Sequence, residues 1–201
     1  MLCERSLEHN QELYICFVDF EKAFDRVNWI KLMEILEKCG LDWRDRRMIR
    51  NLYMNQEGVV KVNGDFTEEC LIGRGVRQGC CLSPVLFSLY TEMMMLEALE
   101  NIDEGVKIGG RSLSDIRFAD DQAMISGTQK GLQVTMKKLC DVVERYGMKI
   151  NSKKTKVMKI SRVTGSAMKI VVNDTVLQQV KSFKYLGSII ENRMMENAKQ
   201  K

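Results

Sequence analysis

The feature that most constrains the fold is an uninterrupted apolar run, LYICFV, at residues 13–18. A run of this length without polar alternation is typical of a strand that is buried on both faces of a sheet. The chain has 201 residues, of which 45% are hydrophobic, and this content is sufficient to fill a core around such a strand. Asp19 follows the run directly, so the sequence predicts a carboxylate at the end of a buried strand.

Helix signals occur at four places along the chain. The first helix is expected to have Asn28 as its N-cap and Gly40 after its last turn, because these residue types terminate helices. The third is expected to begin with Ser83 as its cap and Pro84 in the first turn, where a missing N–H costs nothing. The predicted helices are 29–39, one beginning near 42, one beginning at 83, and 128–146, and the first should bury Trp29, Met33, Leu36 and Cys39.

Two hairpin signals complete the secondary-structure prediction. Asn63-Gly64 stands between alternating apolar residues, and this dipeptide is the strongest short-range signal of a hairpin. Asp120-Asp121 joins two short apolar runs in SDIRFADDQAMIS, residues 114–126, so both acids are expected in the turn of another hairpin. Because strands and helices mix without regular alternation, we expect an α+β fold with an antiparallel sheet packed on helices.

The carboxylates at these positions suggest a metal site. If the strand before Asp19 and the hairpin of Asp120 and Asp121 are neighbours in one sheet, the three side chains converge. Clustered carboxylates repel one another unless they hold cations, and hard oxygen ligands suit Mg²⁺. Two such ions activate an attacking hydroxyl and stabilise the leaving oxygen in phosphoryl transfer. The alternative for the Asp-Asp pair is an ordinary polar hairpin turn.

Charge is distributed unevenly along the chain, whose net charge is +4. The segment 145–169, here called the basic strip, contains no acidic residue, so it could track a phosphate backbone, although a solvated surface is the alternative. Its cations are Arg145, Lys149, Lys153, Lys154, Lys156, Lys159, Arg162 and Lys169.

The cysteine content and the hydropathy of the chain indicate the cellular compartment in which it is expected to fold. The seven cysteines are odd in number and lack a CxxC pair, and the chain has one histidine, so neither a disulfide framework nor a zinc site is expected. We therefore expect a reducing, intracellular environment in which the cysteines serve as packing residues. No apolar run approaches the roughly 18 residues of a membrane span, and the N-terminal sequence lacks the apolar core of a signal peptide.

Five ordered segments resemble the motifs of reverse transcriptases. The residues of the first two segments, with AFD after the first acid and an RQG-C-LSP loop, resemble those of the non-LTR (LINE-type) retrotransposon enzymes. The similarity extends over about residues 10–190. The segments are FVDFEKAFDRV (17–27, motif A), GVRQGCCLSPVLFSLY (75–90, motif B), IRFADDQAMI (116–125, motif C), GMKINSKKTKVM (147–158, motif D) and FKYLGSII (183–190, motif E).

The resemblance implies a right-hand polymerase palm. In such a palm Asp19, Asp120 and Asp121 would ligate two Mg²⁺ ions, with Mn²⁺ as an alternative, assisted by the backbone carbonyl of Phe20. Phe24 falls where the family places its steric gate against the ribose 2′-hydroxyl, and ordinary core packing is the alternative for this residue.

Motifs B, D and E imply further contacts with substrate. Gln78 and Gly79, together with Arg77, match the loop that contacts the incoming nucleotide and the template. Lys154 matches a lysine near the pyrophosphate leaving group, where it would donate a proton or offset charge. Lys153 and Lys156 are expected to contact the nucleic-acid backbone or to be solvated. The primer grip is matched by Tyr185, Leu186 and Gly187, for which a simple turn is the alternative.

The implied activity is RNA-directed DNA polymerisation, in which dNTPs extend a DNA primer 3′-hydroxyl on an RNA template. The whole chain, 1–201, is expected to be the palm, without the fingers and a full thumb, and to act with the remaining domains of a longer polyprotein. That the chain comes from a truncated genomic copy of such an element is an equal alternative. The nucleus is the expected site of reaction. A catalytically inactive remnant that still binds nucleic acid is the alternative, and a nucleotide cyclase is a third reading, against which the RQG loop and the lysine motif argue.

Overall fold

The computed structural model describes residues 2–108, 110–119, 121–162 and 167–192. The helices are α1 (Leu2–Glu8), α2 (Trp29–Lys38), α3 (Trp43–Tyr53), α4 (Ser83–Leu99) and α5 (Gln129–Arg145), with a 3₁₀ turn at Phe24–Arg26. The strands are β1 (Leu13–Val18), β2 (Gln56–Gly58), β3 (Lys61–Val62), β4 (Asp65–Phe66), β5 (Cys70–Ile72), β6 (Val106–Ile108), β7 (Arg111–Leu113), β8 (Asp115–Phe118), β9 (Asp121–Ser126), β10 (Lys156–Ile160), β11 (Val171–Val172), β12 (Thr175–Val176), β13 (Gln178–Gln179), β14 (Ser182–Tyr185) and β15 (Ser188–Glu191).

The central sheet has five strands in the order β13-β10-β1-β9-β8. Strand β1 lies in the middle and pairs antiparallel with both β9 and β10, while β10 pairs parallel with the short β13. All six residues of β1 are buried, as the apolar run predicts. The α+β prediction with an antiparallel sheet packed on helices is therefore confirmed.

Each face of β1 belongs to a different part of the core, because successive side chains on a strand point to opposite faces. On one face Cys16 and its neighbours two residues away belong to the larger cluster, to which α2, α4 and α5 contribute. On the other face Phe17 belongs to a smaller cluster, against which Phe183 and Tyr185 of the β14–β15 hairpin pack. Helices thus cover one side of the sheet, and a hairpin together with α1 covers the other.

Helix α2 confirms the predicted ends but corrects the predicted buried face. Asn28 is the N-cap, and its side-chain oxygen accepts hydrogen bonds from the N–H groups of residues 30 and 31. The buried residues are Trp29, Leu32, Ile35 and Leu36. Met33 is only half-buried, and Cys39 is exposed at the C-cap, because the helix buries the face that contains Leu32, Ile35 and Leu36 in the larger core cluster.

Helix α4 begins one residue earlier than the capping prediction requires. Leu82 is the N-cap and provides no side-chain cap, whereas Ser83 is the first helical residue. The Ser83 hydroxyl is buried and lies 3.4 Å from the hydroxyl oxygen of Tyr53, so it joins α4 to the end of α3 instead of capping its own helix. The prediction that Pro84 occupies the first turn is confirmed.

The smaller elements follow their local signals. The Asn63-Gly64 dipeptide forms the predicted two-residue turn between β3 and β4, with φ values of 51° and 103°. Thr128 caps α5 by accepting a hydrogen bond from the N–H of Gly131, and Gly147 follows the helix with a φ of 67°. In the part of the chain that the structure describes, no helix has the length and apolar character needed to cross a membrane.

Candidate active site

Asp19 and Asp121 are brought together by the register of the two central strands. The β1–β9 pairing ends with Val18 opposite Gln122, so the next residues outward, Asp19 and Asp121, are level at the same edge of the sheet. Asp19 is half-buried and Asp121 is exposed. The sequence prediction that these two strand elements are neighbours is confirmed.

The motif C hairpin differs in one detail from the prediction. Asp121 does not lie in the turn: it is the first residue of β9 and pairs with Phe118 of β8, while Ala119 takes a φ of 53° in the connection. Asp120 lies outside the described residues, so its place beside the other two acids stays a prediction. Among the described ranges, no three carboxylate, thiol or imidazole groups converge as a metal-binding set.

The motif D segment fixes the backbone of Asp19 from the other side. The Asp19 N–H donates to the hydroxyl oxygen of Thr155 at 3.2 Å, and the N–H of Asn151 donates to the Asp19 carbonyl oxygen at 2.8 Å. Phe20 forms an isolated antiparallel bridge with Ile150. Both peptide groups of Asp19 are therefore engaged, which sets the position from which its carboxylate projects.

Thr155 and Asn151 are site-building residues that sequence reasoning missed. Thr155 is fully buried although it stands between lysines, and this polar residue before an apolar strand was the only local signal. Lys154 lies in the intervening turn, where its side chain is exposed and its N–H donates to the Asn151 carbonyl oxygen at 3.1 Å. The Nζ of Lys156 instead contacts the Gln178 side-chain oxygen at 2.7 Å, which gives this lysine a role in the β10–β13 pairing.

Phe24 packs at the margin of the core, five residues after Asp19. Its ring is stacked on Phe87 of α4, with centroids 4.4 Å apart and an interplanar angle of 17°. The side chain is half-buried, so one part of the ring is packed and another part is accessible. Core packing is thus observed for Phe24, while its action as a steric gate stays a prediction.

The motif B loop is tied to the segment that carries Phe24. The N–H of Val76 donates to the Phe24 carbonyl oxygen at 2.8 Å, and the N–H of Gly75 donates to the carbonyl oxygen of Val27 at 2.8 Å. The indole Nε1 of Trp29 donates to the Gly75 carbonyl oxygen at 2.7 Å. Sequence reasoning identified Trp29 only as a core residue, because an indole on an apolar helix face gives no local sign of its hydrogen-bond partner.

The polar residues of this loop have different surroundings. Arg77 is exposed, and its Nη2 donates to the Leu52 carbonyl oxygen at 3.1 Å, which joins the loop to the last turn of α3. Gln78 is exposed, and Gly79 follows with a φ of 85°. Gln78 and Gly79 are therefore accessible to a substrate, whereas the guanidinium of Arg77 has a structural partner; the substrate contacts of all three stay predictions.

The motif E hairpin is attached to the strands of motif C. Leu186 and Gly187 form its two-residue turn with φ values of 49° and 81°. The Tyr185 hydroxyl is shared between the carbonyl oxygens of Ile116, at 3.1 Å, and Asp121, at 3.2 Å. Burial, followed by the nearby charges of Asp121 and Asp115, raises the pKa of Tyr185. The tyrosine thus buttresses the strand that begins at Asp121, and its predicted role in a primer grip is not tested by this contact.

The cysteines differ in their surroundings: Cys39, Cys70 and Cys81 are exposed, so these three are not the packing residues that the sequence predicts. Hydrogen bonds from the backbone of Leu82 and then from Ser83, with the charge of Arg77, lower the pKa of the Cys80 thiol. Burial instead raises the pKa of Cys140 to about 11. The lowered pKa of Cys80 results from the turn that precedes α4, which the sequence alone does not mark; whether the thiol is unreactive stays a prediction.

The basic strip is less uniformly charged in three dimensions than in the sequence. Three of its cations form ion pairs with acids from elsewhere in the chain, at 2.5 to 3.1 Å: Arg145 with Glu97, Lys149 with Glu21, and Lys159 with Glu12. Lys153 and Lys154 are exposed in the turn after Asn151. The strip is thus reduced to a smaller positive surface whose exposed part adjoins Asp19.

Comparisons with known proteins agree with this geometry. The family model described as "Reverse transcriptase (RNA-dependent DNA polymerase)" matches residues 3–190. The chain is 31% identical to the Retrovirus-related Pol polyprotein from type-2 retrotransposable element R2DM of Drosophila melanogaster, over 77% of this chain and 14% of that protein. It is 24% identical to the RNA-directed DNA polymerase from mobile element jockey of Drosophila funebris, over 94% of this chain and 21% of that protein.

A solved structure supports the fold independently. The apo telomerase from Candida tropicalis is similar with a TM-score of 0.61 at 17% identity, over 90% of this chain and 31% of that one. This chain spans about a seventh to a fifth of the length of the two retrotransposon relatives.

The chain belongs to the reverse transcriptase family of RNA-directed DNA polymerases, and its relatives include the R2 and jockey enzymes of non-LTR retrotransposons.

Proposed function

We propose that this chain is the catalytic palm of a retrotransposon polymerase, which adds dNTPs to a DNA primer 3′-hydroxyl on an RNA template. The observation that carries the proposal is the position of Asp19 level with Asp121 at one edge of the sheet. The motif D segment adjoins the same edge, and the motif B loop is hydrogen-bonded to the turn that follows Asp19. Residues from four distant segments therefore surround one surface.

The residues at this edge fit a divalent metal by the chemistry of their donors. Asp19 and Asp121 offer hard carboxylate oxygens on adjacent strands, and Asp120 is the proposed third ligand. The backbone carbonyl of Phe20 is a further proposed ligand. When bound, two Mg²⁺ ions, or Mn²⁺ in their place, supply Lewis-acid activation of the attacking hydroxyl and offset the charge on the leaving oxygen.

The protein's own part is to hold and orient the nucleotide. Phe87 stacks on the ring of Phe24 with the centroids 4.4 Å apart, so the Phe24 ring cannot move away from a sugar that contacts it. The ring would therefore exclude a 2′-hydroxyl by steric overlap. Gln78 and Gly79 are exposed and follow Val76, whose N–H donates to the Phe24 carbonyl oxygen. We propose that Lys154 offsets charge at the leaving pyrophosphate; the hydrogen bond of its turn to Asp19 through Asn151 supports this role.

We further propose that other segments of a longer polyprotein supply the remaining grip on template, primer and triphosphate. The relatives support this proposal, because this chain spans only 14% of the R2DM polyprotein and 21% of the jockey enzyme. The palm would then contribute the reacting edge, and the additional segments would contribute affinity.

Primer extension with matched variants tests the proposal. A labelled DNA primer on an RNA template is incubated with dNTPs, with and without Mg²⁺, and with Asp19→Asn, Asp121→Asn or Asp103→Asn; Asp103 is an exposed acid away from the site. We expect Mg²⁺-dependent extension that each site variant reduces by about 100-fold or more, the size of effect when one charge-stabilising group is removed. Asp103→Asn should retain it.

Extension by Asp121→Asn at the wild-type rate would refute the assignment. Binding of the RNA–DNA duplex by the wild-type chain without any extension would support the inactive remnant instead.

A further inference from the structure

Helix α3 presents arginines and an aromatic ring to solvent. Its sequence, WRDRRMIRNLY, contains four arginines and one aspartate, and Tyr53 at its end is its buried residue. The Trp43 side chain is 58% exposed, whereas Trp29, the other tryptophan of the chain, is 6% exposed. This helix therefore contributes a charged, aromatic surface that the fold itself does not require.

A cavity of about 290 Å³ lies between this surface and α2. Trp43, Arg47 and Arg50 line it at a spacing of four and three residues, so they lie on one face of the helix. Met33 and Arg46 complete the lining, which includes no carboxylate. This cavity is here called the α3 groove.

Arg46, which lines the α3 groove, has one guanidinium nitrogen without a hydrogen-bond acceptor in the described part of the chain. One nitrogen of its guanidinium, Nη1, is paired with Glu37 at 2.9 Å. Its Nε is buried and finds no acceptor among the described residues. A buried donor without a partner is costly, so the guanidinium of Arg46 is only partly compensated within the described chain.

The lining suits a strand of unpaired nucleotides. Arginine guanidinium groups bind phosphate through paired N–H donors, and an exposed indole offers a face on which a base stacks. Met33 provides an apolar floor beside that face. A duplex would not suit this site, because its bases are already stacked on one another.

The helix that carries the groove is also joined to the candidate active site. The last turn of α3 is joined to the motif B loop by the hydrogen bond from Arg77 to the Leu52 carbonyl oxygen, at 3.1 Å. Tyr53, the next residue, lies 3.4 Å from Ser83 at the start of α4. A strand that leaves the motif B loop can thus follow α3 to Trp43, whereas a docked acidic peptide would have no reason to share this path.

We propose that the α3 groove binds single-stranded RNA, with a base stacked on Trp43 and phosphates held by Arg47 and Arg50. The inference rests on the proposed function only in taking RNA as the strand and in placing it next to the motif B loop. The site would hold a part of the template that has not yet paired with the primer.

Binding of a fluorescein-labelled oligouridine in EDTA, followed by anisotropy, tests the groove apart from catalysis. The Arg47→Gln, Arg50→Gln double variant should weaken binding about tenfold or more, and the slope of log affinity against log salt should fall by about 1.4, or 0.7 for each lost phosphate contact. The matched control is the Lys130→Gln, Lys137→Gln variant, which removes the same charge from exposed positions on α5. Its affinity and slope should stay near wild type.

Stacking is tested through the tryptophans themselves. Trp43→Leu should weaken binding about 5- to 150-fold, and RNA should quench the emission of the wild-type chain but not of this variant, which retains the buried Trp29. Circular dichroism checks that each variant is folded. Unchanged affinity and quenching in the α3 variants would overturn the proposal. Competition by poly-glutamate as strong as that by RNA would overturn it as well, because it would identify a protein-docking site.

Primer extension by the wild-type chain separates this inference from the proposed function. If the wild type does not extend a primer, but the α3 variants lose affinity for the oligouridine while the α5 control retains it, the proposed function fails and the α3 groove stands. If extension is normal and the α3 variants bind RNA as tightly as wild type, the groove alone fails.

Discussion

Adding one methyl group to Gly75 should force the motif B loop away from the turn that follows Asp19. Gly75 has a φ of +97°, and a Cβ placed on it would lie 3.0 Å from both the Cα and the carbonyl oxygen of Asp25. The same glycine donates to Val27 and accepts from Trp29. Backbone surrounds the site, so no flexible side chain can move aside to accept the methyl group.

Two costs combine in Gly75→Ala. A left-handed backbone costs an L-residue about 1 to 2 kcal/mol. Overpacking against backbone costs about 1 to 3 kcal/mol more. We therefore expect the free energy of unfolding to fall by about 2 to 5 kcal/mol, which for a chain of this size lowers the Tm by roughly 4 to 20 °C.

Two other glycines provide matched controls for the two costs. Gly79 has a φ of +85°, but a Cβ placed on it would meet no neighbouring atom within 4 Å, so Gly79→Ala should show the backbone cost alone. Gly73 has neither a positive φ nor a close neighbour, so Gly73→Ala should be neutral or should stabilise by up to about 1 kcal/mol. Thermal and urea unfolding followed by circular dichroism measure all three. A Gly75→Ala protein as stable as Gly79→Ala would refute the close approach of loop and turn.

Three further predictions concern side chains of the site. Phe24→Val should raise kcat/KM for ribonucleotides relative to deoxyribonucleotides; equal losses on both sugars with a lowered Tm would instead make Phe24 a packing residue. Tyr185→Phe should lower the free energy of unfolding by about 0.5 to 1.5 kcal/mol, since the carbonyl of Asp121 loses a donor, and unchanged urea unfolding would contradict that contact. Because its pKa is lowered, Cys80 should react faster with iodoacetamide at pH 7 than Cys140, whose pKa burial raises, as measured by peptide mass spectrometry; faster labelling of Cys140 would contradict this.

The sequence predicts the secondary elements well where the signal is local. Asn28 caps α2, Asn63-Gly64 turns a hairpin, and the apolar run 13–18 forms the central strand, because each outcome depends on residues a few positions apart. The buried face of α2 and the role of Ser83 were mispredicted for the opposite reason. Tertiary neighbours select which face is covered and which hydroxyl is buried.

The same distinction between local signals and distant contacts applies to the candidate site. The strand of Asp19 and the hairpin of Asp121 are neighbours in one sheet, which is the condition under which the sequence predicts that the carboxylates converge; the convergence of all three stays a prediction. The contact of Asp19 with Thr155 spans 136 positions, and that of Tyr185 with Asp121 spans 64, so no local pattern specifies either. The ion pairs within the basic strip were missed for this reason too, since acids from distant segments supply the partners.

A manganese titration of four proteins tests most directly whether Asp19 and Asp121 hold one metal site together. Electron paramagnetic resonance measures free Mn²⁺ with the wild-type chain, each single Asp→Asn variant and the double variant. The account predicts that each single substitution weakens Mn²⁺ binding about tenfold or more, and that the double variant is little weaker than either, because the two carboxylates are coupled through one ion. Single substitutions without effect, or two losses that multiply as independent sites do, would contradict it.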